Sequence, residues 1–424
     1  MMRQARILLR LDNLQLIMDT SLATLDTPTP LKPKLKAIER LFVRLLGDVR
    51  FGCLHVQFSE DRHAVVGDTS LPTQVLKIEN ARFYKNVLLG GSIGFGEAYV
   101  SGFWSTPNLS GLLLLLAKNK SRNRRLHKGV SFLAQLYNRV YHLARRNTLE
   151  KSKQNIQAHY DLSNDFYKCF LDPTMTYSSG LLLNEADTLE QSQLNKIDRM
   201  LALAGVKAGD SILEIGTGWG ALALRAAQRG CRVKTITLSE EQYAYAQKMF
   251  EEAGVADQVD LCLQDYRLLE GKYDAVLSCE MIEAVGKEYL GNYFKIVKQS
   301  LKPGKKAVIQ AITISEDRYK SYSRGCDWIQ KYIFPGGHLP SVDAIRKHVD
   351  SNGGCEVSNV SSFGKDYAET LRRWAQQFKE NIAKIHELGF DEAFCRKWNY
   401  YLSYCEAGFD AELIDVNHVV LERD

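Results

Sequence analysis

The chain has 424 residues, of which 45% are hydrophobic and 25% charged, enough for two or three globular domains with a large buried core. Its nine cysteines form no C-x-x-C pair, which argues for reduced thiols in a cytosolic protein and against a zinc site or disulfide framework. The formal net charge is +5, charges interrupt the apolar runs of the N-terminus, and the longest apolar block, Gly111 to Ala117, is too short to cross a bilayer. We therefore expect no signal peptide, no bound metal and only peripheral membrane contact.

The first 150 residues contain mixed patterns and no phosphate-binding or nucleophile motif. Residues 36–60 combine a short helical pattern with the alternating strand LHVQFSE. The stretch TQVLKIENARFYKNVLLGGSIGFGEAYVSGFW predicts a strand, a short helix and a glycine-rich loop ending in aromatic residues. We expect a smaller α+β domain over residues 1–145, associated with lipid or membrane and ending in a basic linker.

A basic block covers residues 118–146. No Asp or Glu occurs between Ala98 and Leu149, whereas nine Lys and Arg residues fall within the block. Such a block indicates an anionic partner, either phospholipid or nucleic acid, or else a solvated linker. Its segment VSFLAQLYNRVYHLARR has apolar residues at helical spacing, so it can lie on a membrane surface or cover the neighbouring domain.

From Asp187 onward, helices and strands alternate. A helix is predicted first, with Leu194, Ile197, Leu201 and Ala204 on one face. Strands are then predicted over 211–216, 231–238, 259–266, 273–280 and 306–314, with helices over 220–230, 240–254 and 287–301. This alternation implies a parallel sheet covered on both faces, with its ligand at the carboxyl ends of the strands.

The stretch ILEIGTGWG, from Ile212 to Gly220, is an apolar strand followed by a glycine-rich turn. Its glycines form G-x-G-x-G and not the G-x-G-x-x-G of dinucleotide enzymes, and Glu214 lies inside the strand. A pyrophosphate gains nothing from a neighbouring carboxylate, whereas a ligand with an ammonium group does. Glu214, Gly216 and Gly218 therefore favour S-adenosylmethionine as the cofactor.

The next strand ends in TLSEEQ, where a ribose-binding acid would be expected. Ser239 and Gln242 form S-x-x-Q, a capping box at the start of the following helix, and Thr237 ends the strand. Because a helix cap can also line a ligand pocket, both roles stay open here.

A set of motifs extends over roughly residues 50 to 410. They are GGSIGFGEAYVSGFW, HYDLSNDFY, LDPTMTYSSG, LEIGTGWG, TLSEEQ, LQDYR, EMIEAVG, YIFPGGHLPS and NYYLSYCEAGF. In combination they resemble the cyclopropane-fatty-acyl-phospholipid synthases and their mycolic-acid relatives. The resemblance implies a class I methyltransferase-type α/β fold, with a doubly wound seven-stranded sheet, over residues 146–424.

The same resemblance implies an enzyme that transfers a methyl group from S-adenosylmethionine to a double bond of an unsaturated phospholipid acyl chain, giving a cyclopropane fatty acid. The cofactor contacts that it implies, with Glu214 added from the glycine turn, are Tyr177, Ser178, Glu214, Gly216, Gly218, Thr237, Gln242, Asp265 and Tyr266. Tyr177 also fits a core aromatic residue, and Asp265 a cap at a strand end.

Transfer to an alkene needs positioning in dry surroundings, worth roughly 7–11 kcal/mol, and no activating base. It leaves a carbocation, which aromatic faces stabilise by roughly 0.5–2 kcal/mol each. The candidates are Tyr177, Tyr332, Phe334 and Tyr401, although packing alone also explains aromatic residues there. The C-terminal helices are expected to wall the acyl-chain tunnel, or else simply to pack.

Loss of a proton closes the ring, and in the family a bound bicarbonate is thought to accept it. Of its side-chain ligands, a glutamate is kept as Glu283, whereas Ser179 replaces a cysteine, Gln310 a histidine and Ala375 a tyrosine. Ser179 and Gln310 can still donate hydrogen bonds to an anion, and Glu283 also fits a helix-start carboxylate. Bicarbonate therefore stays uncertain, and a methyl-branched or methylene-bearing product is the alternative to a ring.

Two other classes remain as rivals. A methyltransferase for nucleic acid or small molecules would explain the basic block, but the place for an N-P-P-Y-like turn holds EMIEAVG. A catalytically silent lipid-binding protein would explain the replaced bicarbonate ligands. We expect instead a cytoplasmic enzyme bound to the anionic inner face of the membrane, with no nucleic-acid partner and compatible with a homodimer.

Overall fold

A computed structural model describes residues 35–47, 49–119 and 162–424 of the chain. The basic block beyond Asn119, its amphipathic segment and the predicted domain boundary at residues 145–146 lie outside these residues. Among the described residues, no helix combines the length and apolar character needed to span a membrane.

The N-terminal region contains a four-stranded sheet and three described helices. In chain order these are α1 (Ala37–Leu46), β1 (Cys53–Gln57), β2 (His63–Gly67), β3 (Thr73–Ile78), α2 (Arg82–Val100), β4 (Trp104–Ser105) and α3 (Leu109–Asn119). The strand order is β2-β1-β3-β4, in which β1 and β3 are parallel and the outer pairs antiparallel.

Helix α2 corrects one prediction, because the segment expected to be a glycine-rich loop is helical. Its helical turns continue to Val100 across a kink at Gly91, where φ is 57°. Two of the other glycines, Gly94 and Gly96, serve close packing: a Cβ at Gly96 would lie 2.6 Å from the Trp328 ring and 2.8 Å from Tyr400. Glycine therefore interrupts the helical conformation at Gly91, whereas at Gly96 it allows close contact with other helices.

The larger sheet has seven strands: β5 (Ser211–Ile215), β6 (Arg232–Thr237), β7 (Val259–Leu263), β8 (Tyr273–Cys279), β9 (Leu301–Ile314), β10 (Cys355–Ser362) and β11 (Ile414–Arg423). Their order is β10-β11-β9-β8-β5-β6-β7. Strands β5 to β9 pair in parallel, and β11 is antiparallel to both of its neighbours. The predicted doubly wound seven-stranded α/β fold is thereby confirmed.

Eleven described helices, three of them in the C-terminal part of the chain between β10 and β11, accompany this sheet. They are α4 (Asn164–Tyr167), α5 (Leu189–Leu203), α6 (Ala221–Gln228), α7 (Glu240–Glu252), α8 (Leu290–Ser300), α9 (Glu316–Tyr322), α10 (Trp328–Tyr332), α11 (Val342–Asn352), α12 (Gly364–Glu380), α13 (Ile382–Glu387) and α14 (Glu392–Asp410). Short 3-10 turns cover Ala256–Gln258, Tyr266–Leu268, Ile282–Ala284 and Lys287–Tyr289. Side-chain caps begin several helices, as Thr188 does for α5 and Asp391 for α14.

One hydrophobic cluster joins the N-terminal region to the C-terminal helices. It runs from Phe83 and Trp104 to Trp374 in α12 and Trp398 in α14, all buried. Two further clusters fill the two faces of the larger sheet. Bulky aromatic residues thus enclose the carboxyl edge of the sheet, where parallel-sheet proteins bind ligands.

Candidate active site

A cavity of about 180 Å³ lies at the carboxyl ends of β5, β6 and β8. Its lining includes all but one of the residues predicted to contact the cofactor: Tyr177, Ser178, Glu214, Gly216, Gly218, Thr237, Gln242 and Tyr266. The loops after β5, β6, β7 and β8 therefore meet around one space, as the strand order requires.

The glycine turn after β5 is tied to β6 by its backbone. The amides of Gly216 and Thr217 both donate to the carbonyl of Ile236, at 3.1 and 3.0 Å. At Gly218 φ is 55°, and a Cβ there would meet no atom within 4 Å. Conformation explains this glycine, and the open space beside it leaves the backbone accessible to a ligand.

Glu214 is 2% exposed and accepts a hydrogen bond from the Thr235 hydroxyl at 2.6 Å. Desolvation raises the pKa of its carboxyl group to about 8, because one hydroxyl partner offsets little of the cost of burying a charge. A cation in the cavity would favour the ionised form. The buried Glu214 carboxyl group therefore fits a ligand that carries an ammonium or sulfonium group.

The end of β6 combines a helix cap with the cavity wall. Ser239 accepts from the Gln242 amide at 3.2 Å and begins α7, as the S-x-x-Q pattern predicts. The Gln242 side chain does not complete a capping box, because its Oε1 accepts from the Thr237 hydroxyl at 2.9 Å. Thr237 and Gln242 also line the cavity, so this segment both caps a helix and forms part of the pocket wall.

Asp265 does not line the cavity, unlike its neighbours Gln264 and Tyr266. Its carboxylate accepts from the Arg267 amide at 2.9 Å and pairs with the Arg267 guanidinium at 2.6 Å. It caps the 3-10 turn that begins at Tyr266, which is the alternative role given by the sequence. The structure thus commits Asp265 to a protein partner.

Ser179 and Gln310, two of the predicted base-site residues, converge on Glu280. The carboxylate oxygen Oε1 of Glu280 accepts from the Ser179 amide at 2.9 Å and from Gln310 Nε2 at 2.7 Å. Its Oε2 accepts from the Tyr367 hydroxyl at 2.7 Å. Glu280 lines the cavity, and its φ of 49° places it in the left-handed region.

Glu283 lies close to Glu280 on the following 3-10 turn. Its Oε1 accepts from the Ile312 amide at 2.5 Å, whereas its buried Oε2 has no hydrogen-bond partner among the described residues. Desolvation, and then the charge of Glu280, raise the pKa of Glu283 to about 8. Burial also raises the pKa of Glu280, but its three hydrogen-bond donors, against one for Glu283, favour ionisation of Glu280 over that of Glu283.

The candidate aromatic residues are separated by the fold. Tyr401 is buried and accepts from the hydroxyl of Tyr177, a cavity-lining residue, at 2.8 Å, whereas Tyr401 itself is not part of the cavity lining. Tyr177 also packs against Trp374 at 5.3 Å, in keeping with its alternative role as a core aromatic. Tyr332 is 36% exposed, and its hydroxyl donates to Glu97 of α2.

Phe334 lies 6.1 Å from Tyr401, centroid to centroid, and is only partly buried. Ala375, the replaced tyrosine position, packs at the edge of the aromatic cluster. The helical segments that carry Trp398 and Cys405 belong to the same cluster, so packing alone accounts for them as well.

Several site residues were missed in the sequence. Lys196 is 1% exposed, lines the cavity and donates to the Ser178 hydroxyl at 2.6 Å. The available signal was its place on the apolar face of α5, beside Ile197. Glu280 appeared only as a letter of the EMIEAVG motif, and Tyr367 had no signal in the local sequence.

Comparison with known proteins gives one family model, described as mycolic acid cyclopropane synthetase, which matches residues 147–419. The tuberculostearic acid methyltransferase UfaA1 of Mycobacterium tuberculosis is 41% identical over 344 residues, covering 79% of each chain. The cyclopropane-fatty-acyl-phospholipid synthase of Escherichia coli K12 is 33% identical over 365 residues, covering 85% of this chain and 91% of its own.

Solved structures agree with this match. The mycolic acid cyclopropane synthase CmaA1, complexed with SAH and CTAB, is 28% identical with a TM-score of 0.59, covering 64% of this chain and 98% of its own. The cyclopropane synthase MmaA2 of Mycobacterium tuberculosis is 30% identical with the same TM-score, covering 63% and 97%. Coclaurine N-methyltransferase, at 20% identity, a TM-score of 0.60 and coverage of 78% and 99%, shares the fold.

Proposed function

The chain belongs to the mycolic acid cyclopropane synthetase family and is an S-adenosylmethionine-dependent methyltransferase that modifies lipids; from this premise we propose its substrate and product. The substrate is a double bond in an unsaturated acyl chain of a membrane phospholipid. The product is an open chain, methyl-branched or methylene-bearing, and not a cyclopropane. The observation that carries this choice is the Glu280 carboxylate held between Ser179 and Gln310.

The cavity supports the cofactor assignment through its charge and shape. Glu214 would pair with the donor's ammonium group, and the open backbone at Gly218 would allow close approach. Thr237 and Gln242 would face the rest of the ligand from the end of β6. When bound, S-adenosylmethionine supplies a methyl group that carries a positive charge into the dry site.

Bicarbonate does not fit this base site. At two positions that would hold the anion in the ring-forming relatives, the donors are already used: the Ser179 hydroxyl donates to the Gly180 carbonyl, and the Ser179 backbone amide and the Gln310 side chain donate to Glu280. A bicarbonate would add a further negative charge beside the Glu280 carboxylate, in a site that desolvation already makes unfavourable for charge. We therefore assign no step to bicarbonate.

Glu280 takes over the role of base in this proposal. The alkene's π electrons would form the new bond to the transferred methyl carbon while the methyl–sulfur bond breaks and leaves its electron pair on sulfur, so the neighbouring chain carbon becomes a cation. Glu280 accepts a proton from the acyl chain, and the electrons of that C–H bond form a new double bond. The atoms balance without any reductant, and the chain gains one CH₂ unit overall.

Held by three hydrogen bonds, Glu280 accepts a proton only from the carbon that the pocket presents to it. A small diffusible anion could instead follow the new methyl group and close a ring. Cyclopropane formation remains the second candidate, because Glu283 retains the glutamate of the ring-forming relatives and the Escherichia coli synthase covers most of this chain.

The product is tested by incubating the purified chain with S-adenosylmethionine and vesicles of a monounsaturated phospholipid. NMR of the methylated acyl chains should show an exocyclic methylene group or a methyl branch beside a double bond, neither of which the substrate has, and no cyclopropyl protons. Cyclopropyl protons as the main signal would overturn the open-chain assignment. Methylation of a water-soluble compound, with the lipid unchanged, would overturn the substrate assignment.

The role of Glu280 is tested by Glu280→Gln, which keeps the shape but cannot accept the proton. Turnover should fall by roughly 10²-fold or more, with donor affinity retained. Glu283→Gln is the matched control: since Glu283 already holds its proton near neutral pH, the amide should lower turnover only a few-fold. Removing carbonate from the buffer should change nothing, and restoration of activity by added bicarbonate would contradict the assignment.

The membrane side of the proposal rests on the basic block, at residues 118–146. Its charge supports peripheral binding to the anionic inner face of the membrane, with the chain in the cytoplasm. Neither a nucleic-acid partner nor a homodimer is needed for the chemistry described above.

A further inference from the structure

Behind the base site, His418 on β11 lies directly opposite Gln310 on β9 in the antiparallel register. Its Nε2 is 2.9 Å from Gln310 Oε1, and both side chains are fully buried. Gln310 Nε2 lies 2.7 Å from the Glu280 carboxylate. A continuous buried chain of hydrogen bonds therefore runs from β11 through β9 to the proposed base.

The polarity of this chain follows from its two ends. A carboxylate can only accept, so the Gln310 amide must present its NH₂ group to Glu280 and its oxygen to His418. His418 must then donate from Nε2, which leaves its Nδ1 without a proton. In agreement, the buried Nδ1 has no hydrogen-bond partner among the described residues.

The surroundings of His418 keep the ring neutral. Phe363 lies against it with ring centroids 4.6 Å apart. Burial, followed by the positive charges of Arg199 and Lys196, lowers the pKa of His418 to about 3. A neutral ring with one proton is a donor at Nε2 alone, so it specifies one orientation of the Gln310 amide.

We infer that His418 is a positioning residue for the reaction: by donating to Gln310 it holds the amide nitrogen against Glu280 and fixes the direction from which the carboxylate accepts a proton. This inference rests on the proposed role of Glu280. If the amide could rotate, its oxygen would face the carboxylate, and Glu280 would lose a donor and its fixed orientation. His418 would thus govern which carbon of the acyl chain loses its proton.

The test compares His418→Leu with His418→Gln. Leucine removes the N–H group that donates to Gln310, so turnover should fall roughly tenfold and the product should become a mixture of isomers. The affinity for S-adenosylmethionine should stay unchanged. Glutamine can donate from a nitrogen near the position of Nε2, so it should restore a single product and turnover within roughly threefold of wild type. A glutamine variant as impaired as the leucine variant would overturn the inference.

Asn417→Leu is the matched control. Asn417 makes another buried hydrogen bond between the same two strands, to the Thr313 hydroxyl at 2.9 Å. Its loss should lower thermal stability and leave the product distribution unchanged. A product shift in this control equal to that of His418→Leu would reduce His418 to a structural role and overturn the inference.

A measurement on the wild-type protein keeps the inference testable even where His418→Leu fails to fold. Nitrogen-15 NMR of histidine-labelled enzyme should show His418 protonated at Nε2 and bare at Nδ1. The opposite tautomer would overturn the inference. A wild type that leaves lipid unmethylated would count against the proposed function instead, so the two failures are distinguishable.

Discussion

In the proposed cofactor site, Glu214 would couple cofactor binding to the release of a proton. Its carboxylate is buried at the end of β5 with one hydroxyl partner, and desolvation raises its pKa to about 8. In the donor-free protein it is therefore mainly protonated at neutral pH. A positively charged ligand stabilises the carboxylate, so we expect the pKa of Glu214 to fall when S-adenosylmethionine binds in the proposed site.

Donor affinity should consequently depend on pH. Between the lowered and the raised pKa, binding expels a proton, so affinity should rise by up to about tenfold per pH unit and level off above about pH 8. Titration calorimetry in buffers of different ionisation enthalpy would count the released proton.

Glu214→Gln should weaken donor binding and abolish this pH dependence. Glu283→Gln is the control, because Glu283 has a similarly raised pKa but makes its hydrogen bond to Ile312, away from the glycine turn. If the pH dependence survives Glu214→Gln and disappears with Glu283→Gln, the released proton comes from Glu283, and the prediction for Glu214 is wrong.

The cofactor side of the site was readable from sequence because its parts are contiguous. Glu214 and the glycine turn follow one strand, and Thr237 to Gln242 follow the next. The base side was not readable, because Glu280, Gln310 and His418 meet only through the pairing of β8 with β9 and of β9 with β11. That pairing depends on strand order, which local patterns do not encode.

At the scale of elements, the glycine-rich composition of α2 predicts a loop where the structure has a helix. Gly94 lies against the Asn86 carbonyl and Gly96 against Trp328 and Tyr400, so both are required by space. The strands of the larger sheet were easier to predict, because buried parallel strands are short apolar runs. The observed strands differ from the predicted ones in where they begin and end. Strand β9, for example, begins at Leu301 and not at residue 306.

Gly96→Ala should destabilise the protein by about 1–3 kcal/mol. The added Cβ would lie 2.6 Å from two ring atoms of Trp328, which is enclosed by its neighbours and cannot easily shift. Denaturant unfolding would measure the change.

Gly90→Ala provides the control within the same helix. A Cβ there would meet no atom closer than 4.0 Å, so alanine should be neutral or stabilise by up to about 1 kcal/mol. Equal stability of Gly96→Ala and wild type would show that α2 does not depend on this contact with α10 and α14.

At the scale of the whole molecule, polar contacts reinforce the shared aromatic core between the N-terminal region and the C-terminal helices. Arg396 of α14 donates to the carbonyls of Tyr99 and Trp104 and lies 4.1 Å from the Tyr99 ring centroid. Lys331 pairs with Glu97 at 2.7 Å. Motion of the N-terminal region would therefore displace α14, whose Tyr401 is hydrogen-bonded to the cavity-lining Tyr177.

Docking on a lipid surface would bring this assembly to the phospholipid substrate that we propose. Each Lys or Arg near an anionic membrane contributes on the order of 1 kcal/mol to binding. Changing Arg122, Arg124 and Arg125 to glutamine should therefore weaken binding to anionic vesicles by roughly 10²-fold and lower turnover on them. Donor affinity, measured without lipid, should stay unchanged because the cavity is built from other residues.

A matched triple variant separates this effect from net charge alone. Lys248, Lys272 and Lys320 are exposed in the catalytic region, and changing them to glutamine removes the same total charge. The control should keep most of the vesicle activity, and rising salt should weaken the wild type more than the arginine variant, because screening acts on the charges that the variant lacks. Equal vesicle binding by the two triple variants would show that the basic block has no specific role in docking.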